Sequence, residues 1–252
     1  MLGVHTSCTR LFKGYWLSLR GYLKLALGSV IRLELPGEGV VGDELLSVYI
    51  ELGVCMTFLM DKVKILFLTA DPSDEVRLRL CQELRDIRES LSRSKQRDDF
   101  LLESRESVRP RDISQAIFDV EPHVIHFSGH GVNTGELCFE DSSGKTQSVH
   151  PDALANLFEL FAERVNCVVL NACYSEVQAK AIVKHIPYVV GMNQAIGDKA
   201  AIAFSVGFYK ALGAGRSFED AFKFARVEIQ LEGVCEHTIP VLHKKKLHQT
   251  LM

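Results

Sequence analysis

The chain has 252 residues, 47% hydrophobic and 24% charged, a composition that supports a packed core and excludes collagen-like, low-complexity and wholly disordered chains. With 29 basic against 32 acidic residues the net charge is -3, too little field to grip a polyanion, and no nucleic-acid partner is expected. The seven cysteines (8, 55, 81, 138, 167, 173 and 235) are odd in number, scattered and without a CxxC pair; neither a disulfide framework nor a zinc knuckle is implied, and a reducing, cytoplasmic setting fits best.

The N-terminal stretch Tyr15 to Ile31 is apolar but interrupted by Arg20 and Lys24. It falls short of the roughly 20 apolar residues of a spanning helix and lacks the unbroken apolar core of a secretory signal, so no transmembrane segment is expected. An interfacial basic amphipathic helix, a helix packed on the main domain and a loosely attached leader all remain open for it. The chain is read as an N-terminal extension over 1–60 and a main domain over 61–252.

From Lys62 onward the pattern is regular. VKILFLTA (63–70) is a short continuous apolar run, as a strand covered on both faces requires. Asp71-Pro72-Ser73-Asp74 offers turn and N-cap chemistry for an amphipathic helix in which Val76, Leu80, Leu84, Ile87 and Leu91 recur at three- and four-residue intervals. Phe100-Leu101-Leu102 predicts a short second strand, and Arg109-Pro110-Arg111-Asp112 opens a helix through about Asp119. Further apolar runs follow at 123–131 (HVIHFSGHG), 167–173 (CVVLNAC) and 188–193 (YVVGMN), with helical segments at 151–163 and 175–185. Gly135 to Val149 reads as a β-hairpin turning at Ser142 to Lys145 and projecting beside the sheet end. Helices are predicted at 198–213 and 217–231, the second capped by Ser217, then an edge strand at Thr238 to Leu242 and a solvated Lys244-Lys245-Lys246. Strands alternating with helices argue for a parallel sheet with right-handed crossovers, whose ligands gather outside the carboxyl ends of the strands.

Two strand ends stand out there, Ser128-Gly129-His130-Gly131 and Asn171-Ala172-Cys173-Tyr174-Ser175. Glycines beside His130 let the backbone bend tightly, and a cysteine leading into a helix feels the positive end of its dipole. A thiol needs a base to become a strong nucleophile, and imidazole is the usual one, so His130 and Cys173 form a candidate dyad. Their separation is close to the roughly 50 residues between histidine and cysteine in caspases. His123 and His126 alternate with apolar residues and read as core or hydrogen-bonded histidines. No metal-ligand spacing, Walker motif or GxGxxG appears, and no cofactor is expected.

HFSGHG (126–131), the Gly135-Glu136-Leu137 hairpin start, VVLNACYS (168–175), Ala200-Ala201 and FSVGFYKAL (204–212) together resemble the CHAT domain family of caspase-like cysteine peptidases, related to separases and metacaspases. The resemblance covers about residues 62–243. It implies an α/β fold, a caspase-like three-layer α/β/α sandwich with a mostly parallel central sheet and a small β-hairpin near the active site. It also implies His130 as general base and acid, Cys173 as nucleophile, and the backbone N–H groups of Gly131 and Cys173 as an oxyanion hole; no third triad member is evident. Asp141 and Asp198 are candidates for a charged substrate pocket. Asn171 stands where relatives specific for arginine or lysine carry an aspartate, so a basic P1 preference is not secured, and Arg164 and Arg216 have no motif context to support an acidic one. The implied function is a regulated bacterial effector endopeptidase acting on a protein or peptide, with a separate activating or inhibitory protein partner. A catalytically silent CHAT-like scaffold module in a signalling or defence system is the alternative.

Overall fold

Each central strand reads as a continuous apolar run because helices cover both of its faces. The computed structural model describes residues 62–246, so the 1–60 extension and its apolar stretch at Tyr15 to Ile31 lie outside the described residues. The main sheet runs β2 (Phe100–Arg105), β1 (Val63–Ala70), β3 (Val124–Gly131), β6 (Cys167–Asn171), β7 (Tyr188–Met192), β8 (Pro240–Lys244). All pairings along it are parallel except that of β8 with β7. The hairpin β4 (Leu137–Glu140) and β5 (Thr146–Val149) joins antiparallel to the end of β3, pairing Cys138 with His130 and Leu137 with Gly131.

The two-residue strand period sorts the core into two layers. On one face Leu66, Leu68, Ile125, Phe127, Val168 and Leu170 pack under α2 (Pro110–Val120), α3 (Pro151–Glu159) and α4 (Glu176–Ile182). On the other, Ile65, Phe67, Val124, Cys167 and Val169 pack under α1 (Leu80–Ser92), α5 (Asp198–Gly213) and α6 (Phe218–Leu231). This is a three-layer α/β/α sandwich with a mostly parallel sheet, as expected from the sequence. Phe204, Phe208 and Tyr209 fill the second layer, all at 0% exposure, with Phe208 edge-on to Tyr209 at 5.4 Å between centroids.

Local chemistry sets the element ends. The Asp112 carboxylate reaches back to the Arg109 backbone N–H at 3.1 Å and its guanidinium at 2.7 Å, and Pro110 occupies the first turn of α2. Ser217 Oγ accepts from Asp220 N at 3.1 Å to open α6.

The first helix departs from the sequence reading, starting at Leu80 rather than near Val76. The residues expected to cap it are committed elsewhere: Asp74 Oδ1 accepts from the N–H and hydroxyl of Thr146, both at 2.9 Å, and Ser73 N–H donates to Gly144 O at 2.8 Å. The hairpin thus claims residues 71–79 as an extended loop, and Val76 stands 79% exposed.

Gly191 in β7 lies where a Cβ would approach Ala179 Cβ at 2.8 Å, Glu176 Cα at 2.9 Å and Ser175 O at 2.9 Å, none of which can swing aside. Gly191→Ala is expected to lower stability by about 1–3 kcal/mol in urea unfolding, the cost of overpacking a fixed contact. The Arg109 hydrogen bond and charge hold Asp112 below the ordinary carboxylate value, so its contribution is present above about pH 3.8 and lost as pH falls through the folded value. Asp112→Ala is therefore expected to cost about 0.5–1 kcal/mol at pH 7, reduced by its partial exposure, with the gap to wild type closing below pH 3.8.

Candidate active site

The ends of β3 and β6 are brought side by side by their ladder, whose last paired rung is Ser128 with Asn171. His130 and Cys173 each lie two residues beyond that rung. The chain crosses so closely there that a Cβ on Gly131 would lie 2.1 Å from Cys173 O, so only glycine allows the contact. Beyond Cys173, Tyr174 takes a left-handed conformation with φ 55°. Ser175 pins the turn, its hydroxyl donating to Leu170 O at 2.8 Å and accepting from Met192 N at 2.9 Å.

The His130 ring is largely covered, with 17% of its side chain exposed. Its Nε2–H donates to the Val76 carbonyl at 2.9 Å, and Asp71 Oδ1 lies 3.7 Å from the same nitrogen. A proton on Nε2 puts the lone pair of the neutral ring on Nδ1. The sequence offers no third member beside the candidate pair; here a main-chain carbonyl from the 71–79 loop orients the His130 ring. That loop is itself held by the hairpin through Asp74, whose carboxyl burial pushes up but the Thr146 hydrogen bonds pull down further, below its ordinary value.

Cys173 is partly buried, and its thiol donates to Ile196 O at 3.8 Å. It precedes by three residues a helix only seven residues long. Dipole effects fade within the first turn, so a helix this short and three residues away contributes little at Cys173.

Beneath both strand ends lies a carboxylate that the sequence reading did not single out. Glu83 of α1 is 2% exposed. Its Oε1 meets Asn171 Nδ2 at 2.7 Å, Ser205 Oγ at 2.6 Å and His126 Nε2 at 3.1 Å, and its Oε2 accepts from Ser128 Oγ at 2.5 Å. Burial pushes its pKa up, but the hydrogen bonds and charge of His126 and the hydroxyls of Ser128 and Ser205 outweigh it, so the carboxyl sits below its ordinary value and stays ionised. His126 also faces the Tyr209 hydroxyl at 3.2 Å and stacks on Phe67 at 4.6 Å, as a hydrogen-bonded core histidine. His123 Nδ1 accepts from Lys64 N at 3.0 Å.

The structure thus gathers His130, Gly131, Cys173 and Asn171 at the adjoining ends of two strands. Asn171 is 4% exposed; its Nδ2 donors are spent on Glu83, Ala201 O and Ser205, while Oδ1 has no hydrogen-bond partner among the described residues. Asp141 closes the hairpin turn, its Oδ1 accepting from Ser143 N and Oγ at 2.7 Å and from Lys145 N at 3.0 Å. Those bonds, that of Lys145 foremost, hold its carboxyl below the ordinary value. Asp198 is the first residue of α5 and lines a groove between α1, α5 and α6 that neither His130 nor Cys173 enters. Among the described residues no hydrogen bond or ion pair joins Asp141 or Asp198 to the dyad. A separate cavity of about 340 Å³, lined by Thr69, Asp71, Arg77, Glu106, Glu140 and neighbouring residues, adjoins His130 through Asp71. Among the described residues no cluster has the composition to hold a metal ion, and no helix is long and apolar enough to cross a membrane.

A Roc-COR-CHAT protease from an unknown prokaryotic organism is 26% identical over 156 residues, 59% of this chain and 15% of that protein. A probable protease from Gillisia limnaea is 24% identical over 195 residues, 71% of this chain and 34% of that protein. The chain therefore spans about a third or less of the length of these relatives. The X-ray structure of a secreted C11 cysteine protease from Bacteroides thetaiotaomicron, in complex with an irreversible peptide inhibitor, has the same fold, with a TM-score of 0.53 at 12% identity over 73% of this chain and 66% of that one. The CHAT domain family matches residues 64–245, which is every strand of the sheet and both of the strand ends described above, and the chain belongs to that family.

Proposed function

We propose that this chain is a caspase-like cysteine endopeptidase that hydrolyses peptide bonds through His130 and Cys173. The observation that carries the reading is the geometry of the two strand ends: an imidazole fixed by a carbonyl on Nε2, leaving Nδ1 as the base, and a half-buried thiol, each two residues beyond the last rung of the β3–β6 ladder. The protease names of its relatives and its fold support the same chemistry.

His130 Nδ1 takes the thiol proton, and the thiolate attacks the scissile carbonyl carbon. The oxyanion that forms is met by the backbone N–H groups of Gly131 and Cys173, donors of a kind each worth about 10²–10³ in rate. Collapse breaks the C–N bond; the amine leaves with the proton from His130, and a thioester remains on Cys173. A water molecule then gives its proton to His130 and attacks the thioester, releasing the acid and restoring the thiol. Of the three pocket candidates Asn171 lies nearest the pair, two residues before Cys173, but its amide is fixed by Glu83 and its Oδ1 is buried, so it supports the strand end rather than facing a substrate side chain. Asp141 spends an oxygen on the hairpin turn, and Asp198 opens onto a different groove. A protein or peptide substrate, a reducing cytoplasmic setting and control by a separate protein partner complete the reading.

Peptidyl acyloxymethyl ketones with basic, acidic and apolar P1 groups, followed by intact mass, test the proposal. One adduct is expected on wild type and none on Cys173→Ala or His130→Ala; equal labelling of the three proteins overturns the dyad. The hairpin clasp has its own signature. Asp74→Ala removes both Thr146 contacts and is expected to slow adduct formation on the order of 10-fold by loosening the loop that carries the Val76 carbonyl, with the fold retained. An unchanged labelling rate would show that the loop holds His130 without the hairpin.

A further inference from the structure

Both strand ends of the proposed dyad are moored to one carboxylate. Ser128, two residues before His130, and Asn171, two residues before Cys173, form the last rung of the β3–β6 ladder. From across the sheet face Glu83 takes a hydrogen bond from each, through Oε2 at 2.5 Å and Oε1 at 2.7 Å. His126, one strand repeat earlier, and Ser205 of α5 complete its shell. A carboxylate has about four acceptor sites on two oxygens; here three donors crowd Oε1 and Ser128 takes Oε2. An amide in its place would put an N–H either against the three donors on Oε1 or against Ser128, reversing that bond, and alanine would take the carboxylate acceptor from all four.

We propose that Glu83 is a positioning residue for the catalytic pair: by bridging Ser128 and Asn171 it sets the relative placement of His130 and Cys173. The inference rests on the dyad reading above. Beyond the shared rung ladder pairing between the two strands ends, β3 pairing instead with the hairpin and β6 leading into the Cys173 turn, so the rung is the last paired position at which one side chain bonds to both strands. Glu83 also sits in the first turn of α1, the helix that follows directly from the loop whose Val76 carbonyl holds His130. Displacements near 1 Å from a change remote from the reacting atoms can cost about 100-fold in rate.

The test is the pH profile of Cys173 alkylation by iodoacetamide in the full chain, with the modified cysteine located by peptide mapping because Cys81 and Cys235 are also exposed. Wild-type Cys173 is expected to alkylate faster at pH 6.5 than the same thiol in His130→Ala, which lacks the base. Glu83→Gln and Ser128→Ala are expected to move the profile towards that of His130→Ala, with alkylation at pH 6.5 slowed about 10-fold. Ile117→Ala, in the opposite layer of the core, lowers the melting temperature but leaves the profile in place. Folded Glu83→Gln and Ser128→Ala proteins with the wild-type profile would overturn the proposal. If Glu83→Gln does not fold, Ser128→Ala decides alone, since it keeps the carboxylate and cuts one arm. A His130→Ala profile identical to wild type would instead bring down the dyad, and the positioning role with it.

Discussion

A buried carboxylate loses several kcal/mol of hydration unless donors surround it, and that requirement organises the centre of this protein. Glu83 meets it with groups from three other elements: His126 and Ser128 of β3, Asn171 of β6 and Ser205 of α5. Each donor occupies a position that the two-residue strand period or the helix face would otherwise give to an apolar side chain. The polar cluster therefore fixes how α1 and α5 sit on the sheet in a way that hydrophobic packing, which tolerates sliding between similar side chains, does not. Phe67, stacked on His126, and Tyr209, bonded to it, carry that order into the surrounding core.

The carboxyl ends of β3 and β6 inherit this rigidity and add constraints of their own. Gly131 lets the backbones touch, and Ser175 staples the turn after Cys173 to both β6 and β7. The other approach to His130 is less firmly built. The 71–79 loop has few buried side chains and is fixed chiefly by the hairpin, through Asp74 to Thr146, Ser73 to Gly144 and Asp71 N–H to Glu140 Oε1 at 3.1 Å. One side of the site is thus set by the core and the other by surface hydrogen bonds.

This division matches what was legible in the sequence. The strands announced themselves because burial on both faces leaves unbroken apolar runs such as VKILFLTA and CVVLN, and the helices because Leu84, Ile87 and Leu91 repeat at the helical period. His130 and Cys173 were visible because both interrupt the ends of such runs with small residues around them. Glu83 was legible in principle: it lies three residues after Leu80, on the face that Leu80, Leu84 and Ile87 send into the core, where a lone acid is out of place. Its meaning required its partners, and Ser128, Asn171 and Ser205 are 45, 88 and 122 residues away in the chain. The late start of α1 was hidden for the same reason, since Asp74 has the local chemistry of a cap and the competing partner, Thr146, is 72 residues distant.

The 71–79 loop therefore stands between two very different supports. At its far end α1 is anchored by Glu83 in the core; along its length the hairpin holds it from outside; and in the middle the Val76 carbonyl meets His130. Surface hydrogen bonds of this kind are individually worth about 0.5–1.5 kcal/mol, within reach of a binding partner, whereas the buried shell around Glu83 is not so easily exchanged. The positions of His130 and Cys173 are thus tied to the core through the rung that Ser128 and Asn171 share, whereas the orientation of the His130 ring depends on a loop held by hydrogen bonds at the surface.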